Sequence, residues 1–211
     1  MKVIMHNSAS LDMSITGIPM SMEKHYDIVR KYNPDVYMFG SVTAYSWIKE
    51  DTPSESKSDF NKPKKGKPYW VIVDSKGKME NWLHFYRQTE YSGNIIVLVS
   101  GETPKSYLEY LNARKYDYIQ TGKKYVDYIE AMNILEKKFN VETLMIDSGG
   151  KLNSYFFEHA LIDEISVLVS PYIKGIESLN LFRDIKNPID LKLTKSEQLD
   201  EYVWLVYQVV K

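Results

Sequence analysis

The sequence predicts an α/β fold built on a mixed, mostly parallel sheet. Three observations predict it. Short apolar, β-prone runs alternate with stretches of helical periodicity along most of the chain, which is the rhythm of parallel strands joined by crossover helices. The last two β-like segments, about Ile189–Leu199 and Tyr202–Val210, are separated only by Asp200-Glu201 and read as a C-terminal antiparallel hairpin, which makes the sheet mixed. No internal repeat and no convincing boundary interrupts the 211 residues, so the expectation is a single domain over 1–211.

Each element has a local reason. Met1–Ser8 is apolar and β-prone, a strand at the start of the chain. After Pro19, Met22, Tyr26, Ile28, Val29 and Tyr32 recur at helical spacing until Asn33-Pro34 stops them. Asp35–Phe39 is a buried-type strand closed by Gly40, and Ser41–Lys49 is a short helix. Glu50–Pro68 is a polar loop with three prolines and a lysine cluster at Lys62, Lys64, Lys65 and Lys67, an insertion of a length usually kept for function or disorder. Tyr69–Val73 is a strand with Ser75-Lys76-Gly77-Lys78 as its exit turn, and Asn81–Arg87 is a short helix. Ile95–Val99 and Tyr116–Gln120 are strands on either side of a helical Pro104–Asn112. Val126, Ile129, Met132, Leu135 and Phe139 form one face of an amphipathic helix. Val141–Ile146 is a strand, Lys151–His159 a helix, and Ile165–Val169 a strand closed near Pro171.

Composition excludes several function classes. Lys and Arg total 27 against 28 Asp and Glu, so the chain is no globally basic nucleic-acid binder. There is no cysteine, which removes disulfides, thiolate metal sites and cysteine nucleophiles. The longest apolar runs, Ile95–Val99 and Val203–Val210, are far shorter than the roughly 20 residues of a membrane helix. Met1–Leu11 is too short and too polar for a secretory signal. The expectation is a cytoplasmic protein with a small-molecule substrate, no nucleic acid and no membrane. The histidines His6, His25, His84 and His159 show no metal-ligand spacing and no nearby carboxylate pattern, and are read as structural or surface residues.

Ligands of open α/β sheets bind beyond the carboxyl ends of strands, so the strand exits hold the candidate chemistry. Asp147-Ser148-Gly149-Gly150-Lys151-Leu152 joins a strand to a helix. Its glycines allow close backbone approach, and the helix start favours an anion; a turn that merely needs glycine is the other reading. At Gly40-Ser41-Val42-Thr43, Ser41 or Thr43 either caps the helix or binds a phosphate or amide. Asp74-Ser75-Lys76-Gly77-Lys78 suits a monoester such as a 2′-phosphate, or is a solvated Lys-Gly turn. In Ser10-Leu11-Asp12 the carboxylate either orients a substrate or handles its proton, or simply sits in a turn.

In this order, the motifs resemble the reductase domain of the riboflavin-biosynthesis enzymes, the RibD C-terminal domain family, with its dihydrofolate-reductase-like fold. The family's Ser-Leu-Asp is matched by Ser10-Leu11-Asp12. Its aspartate-led strand and Gly-Arg-x-Thr are matched by Asp35–Phe39 and Gly40–Thr43, its Asp-Ser by Asp74-Ser75, and its Glu-Gly-Gly-x-x-Leu by the stretch from Asp147 to Asn153. The most specific stretch is Leu161-Ile162-Asp163-Glu164 followed by Pro171 and Gly175. The similarity runs over essentially the whole chain.

The resemblance implies a three-layer arrangement with helices on both sheet faces, an NADPH-dependent reductase and a homodimer. Thr43 would contact the cofactor, and Ser75, Lys76, Gly77 and Lys78 would hold its adenosine end. Ser148, Gly149, Gly150, Lys151 and Leu152 would hold the pyrophosphate, and Asp12 and Asp147 would be the catalytic pair facing nicotinamide and substrate. The implied chemistry is hydride transfer to a C=O or C=N carbon of a pterin- or pyrimidine-like compound, such as a ribosylamino-pyrimidine phosphate. Met13, Ser41 and Ser148 depart from the family pattern, and the alternative is a nucleotide-binding dimer of the same fold without catalysis. The zinc deaminase partner of some members needs His-x-Glu and paired cysteines, which these residues lack.

Overall fold

The computed structural model describes residues 1–48, 54–60, 64 and 66–211. Much of the lysine-rich loop expected over Glu50–Pro68, including Lys62 and Lys65, lies outside the described residues. In chain order the elements are β1 (Lys2–Ala9), α1 (Met22–Tyr32), β2 (Val36–Gly40), α2 (Ser41–Ser46), a 3₁₀ turn at Lys57–Asp59, β3 (Tyr69–Val73), α3 (Leu83–Gln88), β4 (Asn94–Val99), α4 (Lys105–Ala113), β5 (Asp117–Gln120), α5 (Tyr128–Phe139), β6 (Thr143–Ile146), α6 (Gly150–Glu158), β7 (Glu164–Val169), β8 (Leu191–Leu199) and β9 (Tyr202–Val209). The expected alternation and the C-terminal hairpin are both present.

The described chain falls into two compact units, one of Asp35–Glu142 with Met1, the other of Lys2–Pro34 with Thr143–Lys211. In the first unit β2, β3, β4 and β5 pair successively in parallel. Val71, Ile72, Ile95, Ile96, Val97 and Leu98 are fully buried along them, as expected for strands covered on both faces. Phe39, Trp70 and Tyr86 pack as an aromatic cluster with centroids 5.4–5.6 Å apart. In the second unit β1 lies between β6 and β7, parallel to both. There β9 pairs antiparallel with β7, and β8 with β9. Ile28 of α1 packs with Leu168, Trp204 and Val206.

The helix ends follow local chemistry. Ser21 accepts a bond from Lys24 N at the start of α1, and Asp127 accepts one from Glu130 N at the start of α5. Both helices stop at an asparagine in the left-handed region, Asn33 with φ 46° and Asn140 with φ 55°. Val126, expected inside α5, lies just before it because Asp127 is the cap. Helix α3 begins two residues later than expected because Asn81 is itself left-handed, with φ 65°. Helix α2 ends at Ser46, short of the expected Lys49.

Candidate active site

In the second unit, the exits of β1 and β6 lie on neighbouring parallel strands and carry the candidate groups. Asp12 follows β1. Its carboxylate accepts bonds from the Ser10 hydroxyl and from the backbone N–H groups of Lys174 (3.1 Å) and Gly175 (2.9 Å). These donors, the Ser10 hydroxyl first, hold its pKa down at about 2. Asp12 is therefore ionised at neutral pH, fit to orient a ligand or a loop but not to donate a proton. It joins residues 10–15 to the long irregular stretch after β7, with Leu11 N donating to Tyr172 O, Ile15 N to Leu179 O and Leu181 N to Met13 O.

Asp147 follows β6 and is buried, as is Ser148. Asn7 Nδ2 donates to Asp147 Oδ1 at 2.8 Å and to Ser148 O at 3.1 Å. Asn153 Nδ2 of α6 donates to Ser148 O at 3.0 Å and to Asn7 Oδ1 at 3.1 Å. The turn that opens α6 is thus tied to β1 by a buried amide pair. Gly149 caps α6 with an extended backbone, φ −75°, and offers no side-chain cap to its first turn. A Cβ at Gly149 meets only Ile15 Cδ1, at 3.9 Å. The first-turn N–H groups of α6 are the donors that an anion would use there. A Cβ at Gly150 would lie 3.4 Å from Asp184 Oδ2, 3.5 Å from Leu181 O and 3.8 Å from Asn180 O, so one acidic side chain and two carbonyl oxygens stand close to the same helix start. Lys151 is exposed, while the Leu152 side chain is buried and only its backbone faces this end.

In the first unit, β2 and β3 end side by side, with Gly40 opposite Val73. This brings the start of α2, with Thr43, to the same edge as the 74–78 turn. The capping role read for Ser41 or Thr43 is corrected here. Gly40 is the N-cap, no side chain caps α2, and Ser41 and Thr43 are its first and third residues. The 74–78 turn is organised from within. Buried Asp74 accepts from Lys78 N (3.0 Å) and Met79 N (2.8 Å), so those two donors are already used. Gly77 has φ 68°, and a Cβ there would lie 3.0 Å from the Tyr107 ring, so only glycine suits the turn. What remains for an anion is the half-buried Ser75 and the exposed ammonium groups of Lys76 and Lys78. Thr103, not singled out in the sequence, braces the turn by donating to Ser75 O at 2.8 Å and accepting from Ser100 N at 2.9 Å.

The reading that no histidine has a carboxylate nearby is corrected at His25. His25 of α1 is buried, with Nε2 3.2 Å from Asp147 Oδ2 and Nδ1 2.9 Å from Ser8 Oγ. His6 of β1 is fully buried, its ring centroid 4.5 Å from that of His25 and its Nδ1 2.9 Å from Ser166 Oγ. Burial first, and the neighbouring His25 second, push the His6 pKa down to about 3. Asp147 and His25 are far apart in the chain, so local spacing could not pair them. One signal was available: His25 precedes Ile28 and Val29 by three and four residues, which puts it on the apolar stripe of α1.

The model of the RibD C-terminal domain family matches residues 1–205. A curated relative, the 2,5-diamino-6-ribosylamino-4(3H)-pyrimidinone 5′-phosphate reductase of Aquifex aeolicus, is 26% identical over 104 residues, a match spanning 46% of this chain and 46% of that enzyme. Among solved structures, a pyrimidine reductase-like protein of Corynebacterium diphtheriae superposes with a TM-score of 0.76 at 16% identity, over 100% of this chain and 92% of that one. RibD of Acinetobacter baumannii gives 0.73 at 17%, over 99% and 58%. The riboflavin biosynthesis reductase Rib7 of Saccharomyces cerevisiae gives 0.71 at 17%, over 99% and 90%. At these identities the superpositions establish the fold, a dihydrofolate-reductase-like α/β architecture, and the family match over nearly the full length establishes descent: the chain belongs to the RibD C-terminal domain family.

Proposed function

We propose that the protein is an NADPH-dependent reductase that delivers a hydride to the C=N or C=O carbon of a ribosylamino-pyrimidine phosphate of riboflavin biosynthesis. The observation that carries this reading is the family match over residues 1–205. It is supported by an uncapped, glycine-opened α6 N-terminus placed directly after a carboxylate that is itself held from the core.

The residues present fit such a cofactor. In the second unit, the N–H groups of Gly150, Lys151 and Leu152, with Ser148 and Gly149 shaping the turn, bind the pyrophosphate, and the helix dipole adds to the attraction. In the first unit, Ser75, Lys76 and Lys78 take the 2′-phosphate as a hydroxyl and two point charges, with Gly77 setting the turn; Thr43 contacts the cofactor from α2. The bound cofactor supplies the hydride. Asp147 faces the substrate and manages its proton, while ionised Asp12 fixes the loop beside it. The protein works as a homodimer.

NADPH fluorescence titration, followed by turnover with the ribosylamino-pyrimidine phosphate, tests the reading. Micromolar binding with turnover is expected. Binding without turnover on a panel of carbonyl and imine substrates would instead establish a nucleotide-binding protein that has lost catalysis. Lys78→Glu should weaken NADPH more than NADH, by roughly 1–3 kcal/mol; equal losses would remove Lys78 from the 2′-phosphate site.

A further inference from the structure

The substrate-facing role of Asp147 leaves unexplained why an imidazole stands behind it. His25 lies on the buried stripe of α1, where an aliphatic side chain would pack at no polar cost. Instead its Nε2 meets Asp147 Oδ2 at 3.2 Å and its Nδ1 meets Ser8 Oγ at 2.9 Å. The other carboxylate oxygen accepts from Asn7 Nδ2 at 2.8 Å. Both oxygens are gripped from the core side, so the rotamer of Asp147 is fixed.

The chemistry of these partners assigns the protons. A carboxylate only accepts, so His25 carries a hydrogen on Nε2. A hydroxyl donates or accepts, so Ser8 satisfies Nδ1 whether or not that nitrogen is protonated. The ring can gain or lose its second proton with nothing moving but a hydroxyl rotor. The titratable groups that stand around His25 include Asp147 after β6, His6 of β1 at 4.5 Å, and Tyr26 of α1, edge-on at 5.2 Å. Burial, and the neighbouring His25 after it, outweigh the opposing pull of the Asp147 carboxylate on His6, which stays neutral and does not compete for the proton.

We propose that His25 is a positioning residue of the reduction that acts through Asp147, orienting the carboxylate and holding in reserve, with Ser8, the proton that the carboxylate passes to the substrate. This rests on the reductase reading above. The step balances. The substrate carbon gains a hydride and is reduced, the dihydronicotinamide being the group oxidised, and the π pair of the C=N or C=O moves onto nitrogen or oxygen. The imidazolium gives its Nε2 proton to Asp147 Oδ2, and Asp147 passes that same proton to this atom, so the carboxylate begins and ends ionised. His25 is left neutral with its hydrogen on Nδ1, facing Ser8, until a proton from solvent restores the Nε2 hydrogen that the resting ring carries.

His25→Gln tests it. The expected result is a fall in kcat of roughly 10²-fold with KM for NADPH little changed, and loss of the basic limb of the kcat–pH profile, because the proton then comes from solvent. An unchanged kcat and pH profile would overturn the proposal. Ser8→Ala, which leaves the ring in place, should move the same basic limb if His25→Gln does not fold, and an unmoved limb there would equally overturn it. A readout without turnover is the ¹⁵N spectrum of histidine-labelled apoprotein. The neutral ring of His25 should show protonated Nε2, and Asp147→Asn should let the two tautomers exchange. A neutral ring protonated at Nδ1 alone in the native protein contradicts the assignment. Absence of NADPH binding by the unmodified protein removes the reductase reading together with this role, whereas normal turnover with an unperturbed His25→Gln removes this role alone.

Discussion

Met13 sits in the left-handed region, with φ 60°, at the position that follows Ser10-Leu11-Asp12. A side chain there crowds the following carbonyl and costs about 1–2 kcal/mol. The conformation is imposed from outside, since Met13 N donates to Ser10 O and Met13 O accepts from Leu181 N. Met13→Gly should therefore raise stability by up to about 1 kcal/mol, the relief being offset in part by glycine's freedom in the unfolded chain; urea denaturation checks this, and a clear loss would show that the methionine side chain packs more than it strains. Single residues were the least legible part of the sequence. Asp12 and Asp147 were singled out because they stand at strand exits. What each carboxylate does could not be read, because it depends on Lys174 and Gly175 for one and on Asn7 and His25 for the other, partners remote in the chain.

At the scale of elements, the alternating periods and their punctuation were enough to place every strand and helix of regular length, with shifts of up to three residues at the ends. Asn33-Pro34 and Asn140 stop their helices by the same left-handed geometry, and both stops precede a strand. The glycine turns were legible as turns but not as different kinds of turn. Gly149 has an ordinary φ of −75° with only Ile15 Cδ1 near a Cβ, at 3.9 Å, whereas Gly77 has a φ of 68° and the Tyr107 ring against it. Gly77→Ala should consequently cost stability, roughly 1–3 kcal/mol, seen as a lower Tm. Gly149→Val should leave Tm almost unchanged and abolish NADPH binding, because the added carbons enter the space above the α6 amides. Unchanged NADPH affinity in that variant would argue against the pyrophosphate assignment.

For the whole molecule, the alternation of strands and helices was readable because parallel strands buried on both faces leave so plain a hydrophobic signature, whereas the closing hairpin, whose β8 is largely exposed, was readable from two β-prone segments parted only by Asp200-Glu201. Residues 170–190 were not readable. They contain no regular strand or helix and are ordered by contacts with residues 10–15, with Ser14 and Asn180 forming an isolated bridge. Among the described residues no helix is long and apolar enough to cross a membrane. Folding stability should fall in acid through the imidazole of His6. Its native pKa of about 3 lies below the ordinary value of 6.5, so the unfolded chain binds the proton more readily. The contribution is complete above about pH 6.5 and is lost progressively as pH falls towards 3. Urea midpoints at pH 7 and pH 5 should differ, and His6→Gln should shrink the difference. The shared carboxylate of Asp12 has its own consequence. Because it grips the amides of Lys174 and Gly175, the peptide that trypsin would cut after Lys174 is pinned where a protease needs it pliable. Trypsin nicking at that bond should be slow in the native protein and much faster in Asp12→Asn, making a routine digestion a gauge of how firmly the two loops are fastened together.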